Sequence, residues 1–250
     1  VKAGRRPAAI VYGRNPVREA LMAGTRVRKL LVAEGLQQDD RLREIFALAS
    51  EHTVELEHVD RRRLDDLAHT QAHQGVVAYI GRRQYLELED LISAVTDDSM
   101  VLVLDGIQDP QNLGSICRSA EAAGVAWVVI PRHRAAEVTP AVAKASAGAV
   151  EYLRLVQVAG IPQTLERLKK AGFWVVGLAA ESSTLHYQAR LTGKLAVVVG
   201  AEGEGLHRLA AERCDQLLRL PMLGRVSSLN AAAATVVVLY EALRQREVSG

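Results

Sequence analysis

The stretch LPMLGRVSSLNAAAATVVVLYE, Leu220 to Glu241, runs a polar, glycine-bearing loop directly into a long apolar helix. Pro221 to Asn230 places two hydroxyls (Ser227, Ser228), an amide (Asn230) and free backbone N–H groups at a helix start. There, unpaired donors and the positive end of the dipole collect acceptors. By itself the stretch has two readings: the loop holds a ligand, or Ser227 or Ser228 caps a core helix.

Working outward, two further segments favour a site. LDGIQDPQNLGSICRSAEAAG, Leu104 to Gly124, follows the apolar run Met100 to Leu104 and reads as strand, loop and helix. Asn112 and Arg118 lie about 1.7 turns apart on a helix, so they point at one site only if Asn112 sits in the loop before the first turn. LAVVVGAEGEGL, Leu195 to Leu206, is a second apolar strand, ending in a glycine-rich turn with Glu202 and Glu204. Glycines there permit positive φ and close backbone approach to a ligand.

Read together, N-x5-R after one strand, G-x-E-G-x-G after another and P-M-x-G-x-V-x-S-L-N before the last helix resemble the three signature motifs of the SpoU branch (TrmH-type) of the SPOUT methyltransferases. The resemblance covers nearly the whole chain. Its amino-terminal third resembles the substrate-binding domain of the 23S ribosomal RNA 2′-O-ribose methyltransferases of this family, a domain similar to folds found in ribosomal proteins.

Composition sets the class. In 250 residues, 49% are hydrophobic and only 4% aromatic, so the core is built from Val, Leu, Ile and Ala, as in buried parallel strands flanked by helices. The net charge of +2 does not announce a nucleic-acid binder. Its distribution says more: Arg5, Arg6, Arg14, Arg18, Arg26, Arg28 and Lys29 crowd the first thirty residues against Glu19, as a phosphate-facing patch or a solvated helix face. Cys117 and Cys214 fall in expected helices without metal-ligand or disulfide spacing, which fits a reducing compartment. No apolar run approaches the roughly 18 residues of a membrane span and no signal-peptide region is seen, so a cytoplasmic protein is expected.

The pattern predicts helix 15–23, strand 27–33, helix 39–51, strand 54–56, helix 60–69 and strand 75–80 in an amino-terminal α/β unit. Residues 1–81 are expected to form an RNA substrate-binding domain, 82–98 a polar linker with a short helix at 88–95, and 99–250 the catalytic domain. In the last, apolar runs at 100–104, 125–130, 153–156, 173–178, 195–199 and 217–220 alternate with helices, predicting a mostly parallel α/β sheet. The resemblance adds a carboxy-terminal trefoil knot that periodicity cannot show.

The resemblance implies S-adenosyl-L-methionine as methyl donor. Its pocket is formed by backbone around Gly200, Leu220 and Leu229, with Glu202, Met222 and Ser228 beside it. Leu220 and Leu229 could instead be plain core, and capping remains open for Ser228. Arg118 is implied as the catalytic residue, the alternative being a surface ion pair with Glu121 or Glu202. A guanidinium stays protonated and has no acceptor, so gripping phosphate and stabilising a developing alkoxide suits it better than acting as a base. Asn112 and Asn230 suit fixing Arg118 and the ribose, or capping helices; Glu202 suits orienting Arg118 or a backbone amide. His73 reads as structural. Arg14 and Arg18, near a helix opened by Asn15 and Pro16, are the RNA-contact candidates, whereas Arg61, Arg62 and Arg63 fan around a helix as a solvated face.

Three rivals are weighed. A dinucleotide-binding oxidoreductase fails because its fingerprint needs glycine where Glu202 stands. A non-catalytic RNA-binding module is disfavoured because Asn112, Arg118, Glu202, Ser228 and Asn230 are all present. A transfer RNA ribose methyltransferase is disfavoured by the separate amino-terminal domain. The expected partners are 23S ribosomal RNA and a second copy of the chain, packed through the catalytic domain with its apolar last helix; no metal and no membrane are called for.

Overall fold

Buried apolar positions in the amino-terminal part face one mixed sheet. The computed structural model describes residues 9–24, 27–81, 83–226 and 228–249, so Arg5, Arg6, Arg26 and Ser227 lie outside the described residues. The first elements are β1 (Ala9–Tyr12), α1 (Arg14–Met22), β2 (Val27–Ala33), α2 (Asp40–Glu51), β3 (Glu55–Val59), α3 (Arg61–Ala68) and β4 (Val76–Ile80). The sheet order is β1-β4-β2-β3, with β4 antiparallel to both neighbours and β2 parallel to β3. Five of the six elements expected here match to within one or two residues. The strand expected at 54–56 begins one residue later and ends three residues later, as β3. β1 was not foreseen, because four residues carry too short a pattern; it forms on the edge that β4 offers. Asp39 and Asp60 start α2 and α3 by accepting from Leu42 N–H (2.9 Å) and Arg62 N–H (2.8 Å).

The second unit opens with α4 (Leu88–Ala94) and continues with β5 (Met100–Asp105), α5 (Pro110–Ala122) and β6 (Trp127–Pro131). After α6 (Pro140–Ala145) come β7 (Arg154–Val158), α7 (Ile161–Lys170), β8 (Trp174–Leu178), β9 (Leu195–Gly200), α8 (Arg208–Arg213), β10 (Gln216–Leu218) and α9 (Ala231–Ser249). Six parallel strands follow the order β10-β8-β9-β5-β6-β7. Every residue of β5 and β9 is buried, as strands covered on both faces require. One face packs Val101, Val103, Trp127 and Val129 against Ile161, Leu165 and Leu168 of α7; α5 and α9 pack against each other.

Contacts divide the chain into two compact units: residues up to Gln84 with Val138–Glu151, and Tyr85–Glu137 with Tyr152–Gly250. Val138–Glu151, which carries α6, therefore groups with the amino-terminal sheet although it lies between β6 and β7. Lys144 Nζ donates to Ala72 O at 3.0 Å and sits over the Tyr12 ring. In the stretch before β5, Leu86 exchanges backbone bonds with Leu155 and Gln157 (2.9 and 3.0 Å), and Leu88 and Leu91 are buried in the second unit's core.

Candidate active site

The carboxyl ends of the parallel strands gather the functional side chains, as open α/β sheets do where strand order reverses. Here β9 lies beside β5, and from their ends run the two loops singled out in the sequence. After β9 the chain turns back on itself: Gly205 N–H donates to Ala201 O at 2.9 Å, with Gly203 and Gly205 at φ 79° and 69°. A Cβ on Gly200 would stand 2.1 Å from Gly205 C and O, so only glycine lets this loop fold over the strand end.

One pocket takes in every residue expected to hold the donor: Gly200, Glu202, Leu220, Met222, Ser228 and Leu229. Leu229 is 42% exposed, which removes its reading as plain core. The sequence missed the opposite wall, Leu178 to Glu181 at the end of β8, because it carries neither glycine nor motif.

Beside the pocket three polar side chains bond to one another. Asn112 Nδ2 donates to Glu202 Oε2 at 2.9 Å, and Asn230 Nδ2 donates to Asn112 Oδ1 at 2.8 Å and to Glu202 Oε2 at 3.4 Å. Residues separated by up to 118 positions thus form one set. Two amide donors satisfy the carboxylate without a cation. Asn230 also caps α9, its Oδ1 accepting from Ala232 N–H at 2.8 Å, so capping and site role coexist in one side chain.

Two expectations are corrected. Asn112 is not in a loop: Asp109 caps α5, accepting from Gln111 and Asn112 N–H at 3.2 and 3.0 Å, and Pro110 begins the helix. Asn112 and Arg118 therefore point about 120° apart around one helix. Accordingly, neither Asn112 nor Glu202 orients Arg118. Arg118 is exposed and, among the described residues, makes no hydrogen bond or ion pair, with Glu121 and Glu202 included.

A further pair had no signal in the sequence. Buried Asp105, at the end of β5, accepts from His207 N–H at 2.8 Å and lies 3.0 Å from His207 Nδ1. It joins the start of α8 to the end of β5 under the glycine loop. Cys214 lies just beyond α8 rather than within it, and burial pushes its thiol up to about 12, leaving it inert at neutral pH. Among the described residues no group of three or more His, Cys, Asp or Glu could hold a metal, and no helix is long and apolar enough to cross a membrane.

In the amino-terminal unit, Arg14, Asn15, Arg41, Arg61 and Gln74 line a polar groove, with Arg14 bound to Asp39. Arg18 bonds Glu44 (2.7 Å) and Glu19, which raise its pKa, the Glu44 hydrogen bond most. His73 is buried and structural: Nδ1 accepts from Gly75 N–H at 3.0 Å, leaving Nε2 to donate to Asp65 at 2.9 Å.

A parallel sheet with a glycine-lined pocket at its carboxyl ends, and a polar set drawn from the first turn of α5, the loop after β9 and the cap of α9, defines an α/β group-transfer enzyme. The chain belongs to the SpoU rRNA Methylase family, whose model matches residues 99–240, and a model for RNA 2′-O ribose methyltransferase substrate binding matches residues 10–86. It is an RNA 2′-O-ribose methyltransferase. It is 43% identical to the 23S rRNA (guanosine-2′-O-)-methyltransferase RlmB of Pseudomonas putida, over 95% of this chain and 97% of that one. Its fold is similar to the SpoU methyltransferase AviRb from Streptomyces viridochromogenes, solved in complex with the cofactor AdoMet, with TM-score 0.80, 28% identity, and 96% and 91% coverage. A TrmH/SpoU tRNA modifying enzyme of A. aeolicus aligns with TM-score 0.56 and 25% identity, over 65% of this chain and 86% of its own.

Proposed function

We propose that this enzyme transfers a methyl group from S-adenosyl-L-methionine to the 2′-hydroxyl of a guanosine in 23S ribosomal RNA. The observation that carries the reading is the meeting of three distant loops at one pocket, beside the Asn112–Glu202–Asn230 set. The relative from P. putida supports the guanosine and the 23S substrate. The tRNA enzyme, aligned over 65% of this chain, leaves a third without a counterpart, which disfavours a transfer RNA target.

The pocket fits the donor. Leu178, Leu218, Leu220 and Leu229 offer an apolar wall to a purine, and backbone at Gly200 and Ala201 offers polar groups. When bound, the donor supplies an electrophilic methyl group on a cationic sulfur. The chain's own residues do the rest. Glu202, held by two amides, fixes the Gly200–Gly205 loop against the start of α9 and so places Ser228 in the pocket. Arg118, without a hydrogen bond or ion pair among the described residues, grips an RNA phosphate and stabilises negative charge growing on the 2′-oxygen. The methyl group replaces the hydroxyl proton, which passes to a phosphate oxygen or water, because a guanidinium has no site to accept it.

Arg14, held by the single carboxylate of Asp39, is the stronger RNA contact; Arg18 joins it only by giving up two, Glu19 and Glu44. The enzyme acts in the cytoplasm as a homodimer, with a carboxy-terminal trefoil knot in which the last helix threads a loop. Val237 and Tyr240 of α9, 38% and 46% exposed, supply apolar surface for the second copy. The test is transfer of labelled methyl from S-adenosylmethionine to RNA lacking the modification, then nuclease digestion and nucleoside mass spectrometry. 2′-O-methylguanosine in 23S RNA is expected; label in transfer RNA or on another nucleoside would overturn the substrate, and absence of donor binding would overturn the enzyme.

A further inference from the structure

We infer that Glu181 is the residue that recognises the ribose of the methyl donor, its carboxylate accepting hydrogen bonds from the 2′- and 3′-hydroxyls. The inference rests on the donor proposed above and adds a specificity-determining side chain outside the three sequence motifs. Four ionisable side chains line the pocket: Glu181, Glu202, Glu204 and Arg219. Glu202 is already engaged by Asn112 and Asn230. Glu181 is exposed to the pocket and, among the described residues, makes no hydrogen bond or ion pair.

Its position is fixed although its carboxylate is open. Ser182 N–H donates to Ala179 O at 3.2 Å, closing the turn that carries Glu181, and Ser182 Oγ donates to Leu217 O of β10 at 2.6 Å. Thr184 N–H in turn donates to Ser182 Oγ at 3.2 Å. A turn tied to the neighbouring strand presents one acceptor group at the pocket wall with little ordering left to do on binding.

Strand order decides which part of the donor meets it. The polar set that marks the transfer point hangs from the ends of β9 and β5, whereas Glu181 follows β8, on the far side of β9. The apolar wall of Leu178, Leu218 and Leu220 lies on that same far side, at β8 and β10. A donor seated with its purine on the leucines and its sulfur, bonded to the ribose 5′-carbon, toward Glu202 places the ribose between them, beside the end of β8. A vicinal diol offers two O–H donors, and an ionised carboxylate offers two acceptor oxygens. Dinucleotide-binding folds meet ribose hydroxyls with an acidic residue for the same reason.

The test is calorimetric binding to the full chain of S-adenosylhomocysteine, 5′-methylthioadenosine and the 2′,3′-dideoxy form of the latter, for wild type and Glu181→Ala. The substitution is expected to weaken the first two by roughly tenfold to a hundredfold, the range for a hydrogen bond to a charged group, and to leave the dideoxy compound nearly unchanged. An unchanged melting temperature without ligand would show that the fold is intact. Weakening confined to S-adenosylhomocysteine would assign the carboxylate to the amino group and overturn the inference, as would equal weakening of all three compounds or of none. Failure of every compound to bind wild type would instead refute the donor itself.

Discussion

The carboxyl-end face of the parallel sheet and the surface of the amino-terminal unit treat their charges in opposite ways. In the amino-terminal unit several cations are closed by carboxylates: Arg14 by Asp39, Arg18 by Glu19 and Glu44, Lys29 by Glu55 and Glu57, and Arg63 by Glu57, while the buried His73 ring bonds Asp65 and Gly75. At the sheet face the scaffold is satisfied, through Asp105 with His207 and Asn112 with Glu202, while Glu181 there and Arg118 elsewhere on α5 make no hydrogen bond or ion pair among the described residues. Stability is secured by the closed groups, and recognition is reserved for the open ones.

The largest break in that contrast is expected from Arg118→Ala. Turnover should fall by two or more orders of magnitude, near 3 kcal/mol of transition-state stabilisation, with donor affinity kept; single-turnover rates beside calorimetric binding would check it. Retained turnover would make Arg118 an ordinary surface residue. Gly200→Ala strikes the scaffold instead, since its new methyl meets Gly205 backbone. It should cost about 1–3 kcal/mol of stability and weaken the donor, read by denaturant melts with and without S-adenosylhomocysteine.

His73→Ala tests the closed side. Removing it strands Gly75 N–H in a buried place, so a loss of about 1–3 kcal/mol is expected in urea unfolding, with donor affinity unchanged. Arg18→Ala should cost no more than about 1 kcal/mol, as partly exposed ion pairs do. Its effect on RNA affinity by filter binding should be smaller than that of Arg14→Ala; the reverse order would show that RNA opens the Glu44 pair. The smallest effect concerns acid. A hydrogen bond from Arg244, with help from Gln245, holds the Glu241 carboxyl down to about 2 from its ordinary 4.5. Its contribution to stability is complete above about pH 4.5 and lost as pH falls through about 2. Glu241→Gln should flatten the stability profile in that window, and an unaltered acid limb would remove the assignment.

Much of the site was legible because its signals are local. The unbroken apolar runs at Met100 and Leu195 marked buried parallel strands, and Gly200, Glu202, Ser228 and Asn230 marked loops that could serve a ligand. What stayed hidden depends on contacts across the chain. Asp105 and His207 are 102 positions apart, and nothing near either one names the other. The turn at Glu181 matters only because Ser182 reaches Leu217, 35 positions on. Asn112 lies in α5 rather than in the loop before it because Asp109 and Pro110, a cap and a first-turn proline that the sequence itself carries, start the helix early.

The return of Val138–Glu151 to the amino-terminal sheet sets an order on synthesis. A chain leaving the ribosome folds from its amino end, at about 5–20 residues per second. Here the first sheet can pair its four strands early, but its packing against Pro140–Ala145 waits for the catalytic β5 and β6 to be made. For several seconds the nascent chain holds a substrate unit lacking one wall, with Tyr12 and Glu19 short of their later neighbours, Lys144 and Gly148. The two halves therefore mature in an interleaved sequence, and exchanging the first 84 residues for those of another enzyme would carry over only part of a unit.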